Sequence, residues 1–146
     1  MTDPDALELS VHIAAEPELV FSYFTDPTRY VQWMGSEAQL DAEPGGTYRV
    51  KMRDGVEAAG EFVAVEPPRR VVFTWGWSGD DAVPPGSSTV VVTLAEEDGG
   101  TRVVLRHEGL PDDGQRAHHK QGWEQYLDRL VVRTTGGDPG PDPNAG

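Results

Sequence analysis

The sequence predicts an α+β fold: a curved antiparallel sheet of about six or seven strands wrapped around one long C-terminal helix, with two short helices after the first strand. Three observations carry that prediction. Residues 36 to 108 alternate between apolar and polar at a period of two, broken only by turn-forming Gly, Pro and Asp. Residues 115 to about 134 switch to helical spacing. Between the first alternating stretch and the rest, Pro17 and Asp26-Pro27 punctuate two short helical segments.

The elements follow in order. Leu7, Leu9, Val11 and Ile13 face one side of the first strand, and Glu8, Ser10 and His12 the other. Pro17 suits a first helical turn, and Leu19, Val20, Tyr23 and Phe24 recur at helical spacing, which predicts a short helix with one buried face. Asp26-Pro27 stops it, and Asp26 is placed to cap a second short helix over 27–33. Ser36 to Asp41 reads as a strand and Glu43-Pro44-Gly45-Gly46 as a turn. In 47–53, Tyr48, Val50 and Met52 point in, while Arg49, Lys51 and Arg53 point out. Asp54-Gly55 is a tight-hairpin signal leading to a strand over 56–66, with Glu57 and Glu61 on one face and Ala58, Gly60, Phe62 and Ala64 on the other. The two glutamates are placed to pair across strands with Arg49, Lys51 or Arg53, each exposed pair being worth ~0.2–1 kcal/mol.

Pro67-Pro68 turns the chain into 70–77, whose Val71, Phe73, Trp75 and Trp77 all project from one side. Three aromatic rings on one strand face need a bulky cover: a helix, a small molecule, or both. Residues 78–86 read as a long flexible loop. Strands over 87–95 and 101–108 form a hairpin across Asp98-Gly99-Gly100, with Val103, Leu105 and His107 sharing one face. Pro111-Asp112-Asp113-Gly114 opens the long helix. Its buried stripe is His119, Trp123, Tyr126 or Leu127, and Leu130, with Arg129 and Arg133 mostly elsewhere.

A chain of 146 residues fits one domain, read here as 1–135, followed by a tail over 136–146 whose seven glycines and prolines predict disorder. The absence of cysteine excludes disulfides and thiolate metal sites and points to a reducing compartment. The acidic start Met1-Thr2-Asp3-Pro4-Asp5 carries no apolar run of the secretory kind, and nowhere do 18 apolar residues run together, so a cytoplasmic protein is expected. Abundant Ala, Gly, Asp and Arg beside two lysines suggest a GC-rich, bacterial source. A net charge of −13 repels phosphate backbones and argues against nucleic acid or an anionic membrane as a partner. Such a surface suits a monomer or a weak homodimer.

Chemistry-bearing residues are few. His107 and His119 are the inward histidines available for acid–base work, and each reads equally as a hydrogen-bonded core or rim residue. His118-His119 has no acidic residue at metal-ligand spacing, so no metal is expected. No nucleophile–base signature, phosphate-cradling glycine motif or paired inward carboxylates is visible, so neither a catalytic set nor a cofactor is assigned. Gly122 interrupts the long helix at a cost of about 1 kcal/mol against alanine, which suggests close approach to the sheet or to a ligand.

Five segments carry a resemblance. Ala15-Glu16-Pro17-Glu18-Leu19-Val20-Phe21 opens the first helix and Tyr30-Val31-Gln32-Trp33 follows it. Pro44-Gly45-Gly46-Thr47-Tyr48 precedes a long strand, Pro67-Pro68-Arg69-Arg70-Val71-Val72-Phe73-Thr74-Trp75 spans a turn and the aromatic strand, and 118–127 lies on the final helix. In this order they resemble the helix-grip fold of the START and birch-pollen-allergen (SRPBCC) superfamily, and more narrowly the domain of activators of the heat-shock-protein-90 ATPase, over residues 7 to about 132. The resemblance implies an internal cavity between sheet and long helix that takes a hydrophobic small molecule. The matching ligand-binding positions are Trp33, Tyr48, Met52, Phe62, Phe73, Trp75, Trp77 and His107 with His119, Trp123, Tyr126 and Leu127 from the helix; Trp77 would stand at the mouth, and the loop over 78–86 would gate it or serve as an ordinary connection.

Carriage or sequestration of a hydrophobic, aromatic molecule is therefore the leading functional expectation. A polyketide cyclase or hydrolase using the same cavity is the alternative, and a chaperone ATPase co-regulator the third; 146 residues leave no room for the extra N-terminal domain of the full activators. The same aromatics could instead simply fill the core.

Overall fold

The computed structural model describes residues 6–52 and 56–140. The start Met1–Asp5, the outward position of Arg53, the hairpin signal Asp54-Gly55 and the last part of the tail (141–146) lie outside the described residues. The chain runs β1 (Leu7–Ile13), α1 (Pro17–Thr25), α2 (Pro27–Tyr30), β2 (Glu37–Leu40), β3 (Thr47–Lys51), β4 (Glu57–Glu66), β5 (Arg70–Trp75), β6 (Ser88–Glu97), β7 (Gly100–Glu108) and α3 (Asp113–Thr134). The seven strands form one antiparallel, curved sheet in the order β1-β7-β6-β5-β4-β3-β2. β2 to β7 are a meander with each strand beside its sequence neighbour. β1 joins the far edge by pairing with β7, so α1 and α2 carry the chain from one edge of the sheet to the other. α3 covers the concave face, and its backbone comes closest to β1.

Register explains how scattered apolar residues become one surface. Leu7 stands opposite His107, His107 opposite Val90, Val90 opposite Phe73, and Phe73 opposite Phe62, a single row across five strands. The next row is Leu9, Leu105, Val92, Val71 and Val65. That second row departs from strict alternation. A bulge between Phe62 and Ala64 puts Val65 rather than Ala64 in phase with Phe62, because an extra residue on one strand shifts every later side chain to the other face.

The local signals act largely as their chemistry requires. The Asp26 carboxylate accepts from the amides of Thr28 and Arg29 and caps α2. That helix ends at Tyr30 instead of reaching 33, since the chain must turn through Gly35 (φ +77°), where a Cβ would stand 2.5 Å from Val50 Cγ1. In α1 the buried face is Val20, Phe21, Tyr23 and Phe24, while Leu19 is 38% exposed, being one residue's turn of about 100° away from Val20. Arg49 pairs with Glu57 at 2.6 Å and Lys51 with Glu37 at 4.0 Å, both exposed. In α3, the Asp112 carboxylate accepts from the Gln115 amide as the N-cap.

Arg129 departs from expectation by being buried. Its Nε donates to Trp33 O (2.9 Å), and its guanidinium nitrogens donate to Pro139 O (3.1 Å) and Gly140 O (2.9 Å). The first residues of the segment expected to be disordered are thus tied back to α3. Among the described residues no helix is long and apolar enough to cross a membrane.

Candidate functional site

β5 delivers the central aromatic, and its far end sets the site's geometry. Trp75 is its last residue, opposite Ser88 of β6. Beyond it the chain leaves β6 but stays with β4: Gly76 O accepts from Ala59, Ala58 bridges to Trp77, and the Ser78 amide donates to Glu57 O. Gly76 is required where the returning loop crosses it, since a Cβ there would stand 1.8 Å from Pro84 O. The loop is anchored: Trp77 N donates to Val83 O (2.7 Å), Val83 is fully buried, and the Asp80 carboxylate accepts from the amides of Ala82 and Val83.

Between this loop, the β3–β4 end of the sheet and the first half of α3 lies a solvent-open cavity of about 830 Å³. Trp75, Trp77, Trp123 and Tyr126 supply its aromatic wall, and Met34, Met52 and Val56 its aliphatic one. Ser78 to Asp81 form one rim; Gln115, His118, Gln121, Gly122 and Gln125 form the other, with His119 set into the wall.

Of the twelve sequence-predicted positions, Met52, Trp75, Trp77, His119, Trp123 and Tyr126 line this cavity. Trp33, Tyr48, Phe62, Phe73, His107 and Leu127 do not. Tyr48 stacks on Phe73 at 4.2 Å and meets Phe62 edge-on at 5.9 Å, all three almost fully buried, so this part of the sheet face meshes as core. Trp33 is packed between Phe24 and Tyr30 and donates its Nε1 to Tyr23 O. Tyr30 and Tyr48 share a short hydroxyl–hydroxyl hydrogen bond, and Tyr30 also donates to Met34 Sδ. Burial pushes both phenols well above the ordinary tyrosine value.

Sequence reasoning missed Met34 and the polar helix rim. Gln115, His118, Gly122 and Gln125 recur at three- and four-residue spacing, but a stripe of polar residues looks like any solvated helix face. Gly122 makes no close approach to the sheet: nothing lies within 4 Å of the position its Cβ would take, and the residue borders the cavity.

The two inward histidines are each held by an indole. Trp77 Nε1 donates to His119 Nε2 (3.0 Å), and His119 Nδ1 donates to Gln115 O (2.8 Å). Trp123 Nε1 donates to His107 Nδ1 (3.1 Å), whose Nε2 donates to Ser88 Oγ (2.8 Å), which in turn donates to Trp75 O (2.8 Å). An indole can only donate, so each imidazole must present its lone pair there and is fixed in one neutral tautomer. Burial agrees, driving His107 down to about 3, with His119 adding to the effect. His119 is lowered as well, chiefly by burial, while the hydrogen bond to the Gln115 carbonyl is the main influence opposing the fall. Trp75 is the exception: its Nε1 is buried and has no hydrogen-bond partner among the described residues. No group of three His, Asp or Glu among the described residues is placed to hold a metal ion.

Comparison with known structures bears on the fold. An AHSA1-like protein from Rhizobium etli is 44% identical over 97% of this chain and 88% of its own, with a TM-score of 0.74. DynU16, a putative protein in the dynemicin biosynthetic locus, is 27% identical with a TM-score of 0.83; the match covers 96% of this chain but 51% of DynU16, so the chain spans about half of that protein. CalU16 from Micromonospora echinospora is 28% identical over 90% of this chain and 76% of its own, with a TM-score of 0.73. No curated protein matches significantly. A sequence profile for activator of Hsp90 ATPase homolog 1-like proteins matches residues 14–134, and with that span of helix-grip architecture the chain belongs to this family.

Proposed function

We propose that the chain binds, and so carries or sequesters, a hydrophobic aromatic small molecule in the cavity between the end of β5 and the first half of α3. The observation that carries this reading is the cavity beside the Trp75 indole, about 830 Å³ in volume, open to solvent and walled by aromatic rings. Around it, Trp77, Trp123 and Tyr126 offer faces and edges for planar rings, at a volume within the range of ligand pockets. The histidines suit binding better than proton transfer. Each lone pair is already engaged by an indole, so neither is available as a general base without breaking that bond. Neighbours such as DynU16, from a biosynthetic locus, make a small metabolite a natural cargo.

The test is a titration of tryptophan emission and thermal midpoint with hydrophobic aromatic compounds, anthraquinones and naphthols included. Saturable quenching with a raised midpoint is expected for part of the panel, and both effects should vanish in Gly122→Leu, whose side chain would project into the cavity. Flat responses across the whole panel would overturn the reading.

A further inference from the structure

The cavity's charge is one-sided, and this points to the kind of aromatic molecule it takes. Among the described lining residues the formal charges are Asp80 and Asp81, both on the β5–β6 loop, and there is no lysine or arginine. His119, in the wall, is held neutral by the Trp77 indole and by burial, so it adds no opposing positive charge. Beyond the rim, the whole chain carries a net charge of −13, which adds to the negative potential at the opening. Inside, the Trp75 ring lies 5.2 Å from that of Trp77 and 5.1 Å from that of Trp123. Indole faces carry negative quadrupole potential and attract a desolvated cation.

We infer that the ligand is a cationic aromatic molecule, with planar rings against the tryptophans and a positive charge toward Asp80 and Asp81. Anionic compounds, fatty acids and acyl carriers with phosphates among them, are disfavoured by the same field. This rests on the proposed binding role of the cavity.

Three probes of one shape separate the charge question from the binding question: N-methylacridinium (cationic), acridine (neutral near pH 7.5) and acridine-9-carboxylate (anionic). Each is titrated into the full chain at fixed ionic strength, following tryptophan quenching. N-methylacridinium should bind roughly tenfold tighter than acridine, and the carboxylate weakest. The gap should collapse in Asp80→Asn/Asp81→Asn, where the new carboxamide at position 80 keeps an oxygen to accept from Ala82 and Val83. It should persist in Glu43→Gln/Glu96→Gln, which removes two exposed charges elsewhere. If acridine binds as tightly as the cation, or both double variants erase the gap equally, charge selection is overturned while the binding role stands. If none of the three quenches saturably, the binding role itself falls, and this inference with it.

Discussion

Two aromatic clusters share the concave face of one sheet and behave oppositely. Tyr48, Phe62 and Phe73, with Tyr30 and Trp33 behind them, interlock at ring distances of 4.2–6.1 Å and are almost fully buried. Trp75, further along the same strand as Phe73, and Trp77, just beyond its end, border an open cavity together with Trp123 and Tyr126 of α3. The residue types hardly differ. What differs is the cover: Tyr30 and Trp33 pack onto the first cluster, whereas the second meets a stretch of α3 that presents Gly122 and glutamines to the cavity, with Ser78 to Asp81 on the opposite rim. Aromatic content predicts a surface that needs covering, and the position of the cover decides between core and binding site.

The sharpest way to break that comparison is truncation on each side. Phe73→Ala should cost about 3–5 kcal/mol in urea unfolding, as removal of a fully buried ring from a meshed core does. Trp77→Ala, at a half-buried rim, should cost less than half as much while abolishing ligand-induced quenching. Equal losses would mean that the second cluster is core too.

The histidines sharpen the comparison through pH. The unfolded chain takes up a proton on His107 near about pH 6.5, whereas the folded chain resists until about 3, so the unfolded state binds more protons across that window. Stability is therefore full above the upper limit and falls as pH drops. From pH 7 to pH 5, His107 alone should cost about 2 kcal/mol, and His107→Gln should flatten the profile measured by urea midpoint. His119, lowered too, contributes in the same direction.

A smaller effect is expected at the buried hydroxyl pair. Tyr48→Phe should cost about 1 kcal/mol, because Tyr30 loses one partner but keeps Met34 Sδ. The double change Tyr30→Phe/Tyr48→Phe should be no worse than the single one, a relation that a double-mutant cycle in urea reads directly. Smallest of all, Gly122→Ala should stabilise by roughly 0.5–1 kcal/mol, since helix propensity improves and the new methyl meets open space. A destabilised Gly122→Ala would show that the cavity wall is tighter than the geometry indicates.

Much of the architecture was legible in local chemistry. Period-two stretches became strands, Asp26 became a cap, Pro111 to Gly114 opened α3, and the stripe His119, Trp123, Tyr126 or Leu127, and Leu130 became its buried face, because alternation and helical spacing act within a few residues. The bulge at Phe62–Ala64 and the outward turn of Leu19 were not legible, since each is a one-residue shift that the pattern tolerates equally well. The burial of Arg129 was hidden for another reason. Its partners are main-chain carbonyls of Trp33, Pro139 and Gly140, which no side-chain pattern announces.

By itself, then, the sequence determined the element order, the family resemblance and the presence of an aromatic concave face. Only the tertiary structure decided that β1 lies beside β7, that half of the predicted ligand-binding positions are packed core, and that the polar helix rim and Met34 belong to the cavity. The physical reason is range: periodicity is written in neighbouring residues, but whether two apolar surfaces mesh or stand apart depends on where distant segments come to rest, and that is a property of the whole packing.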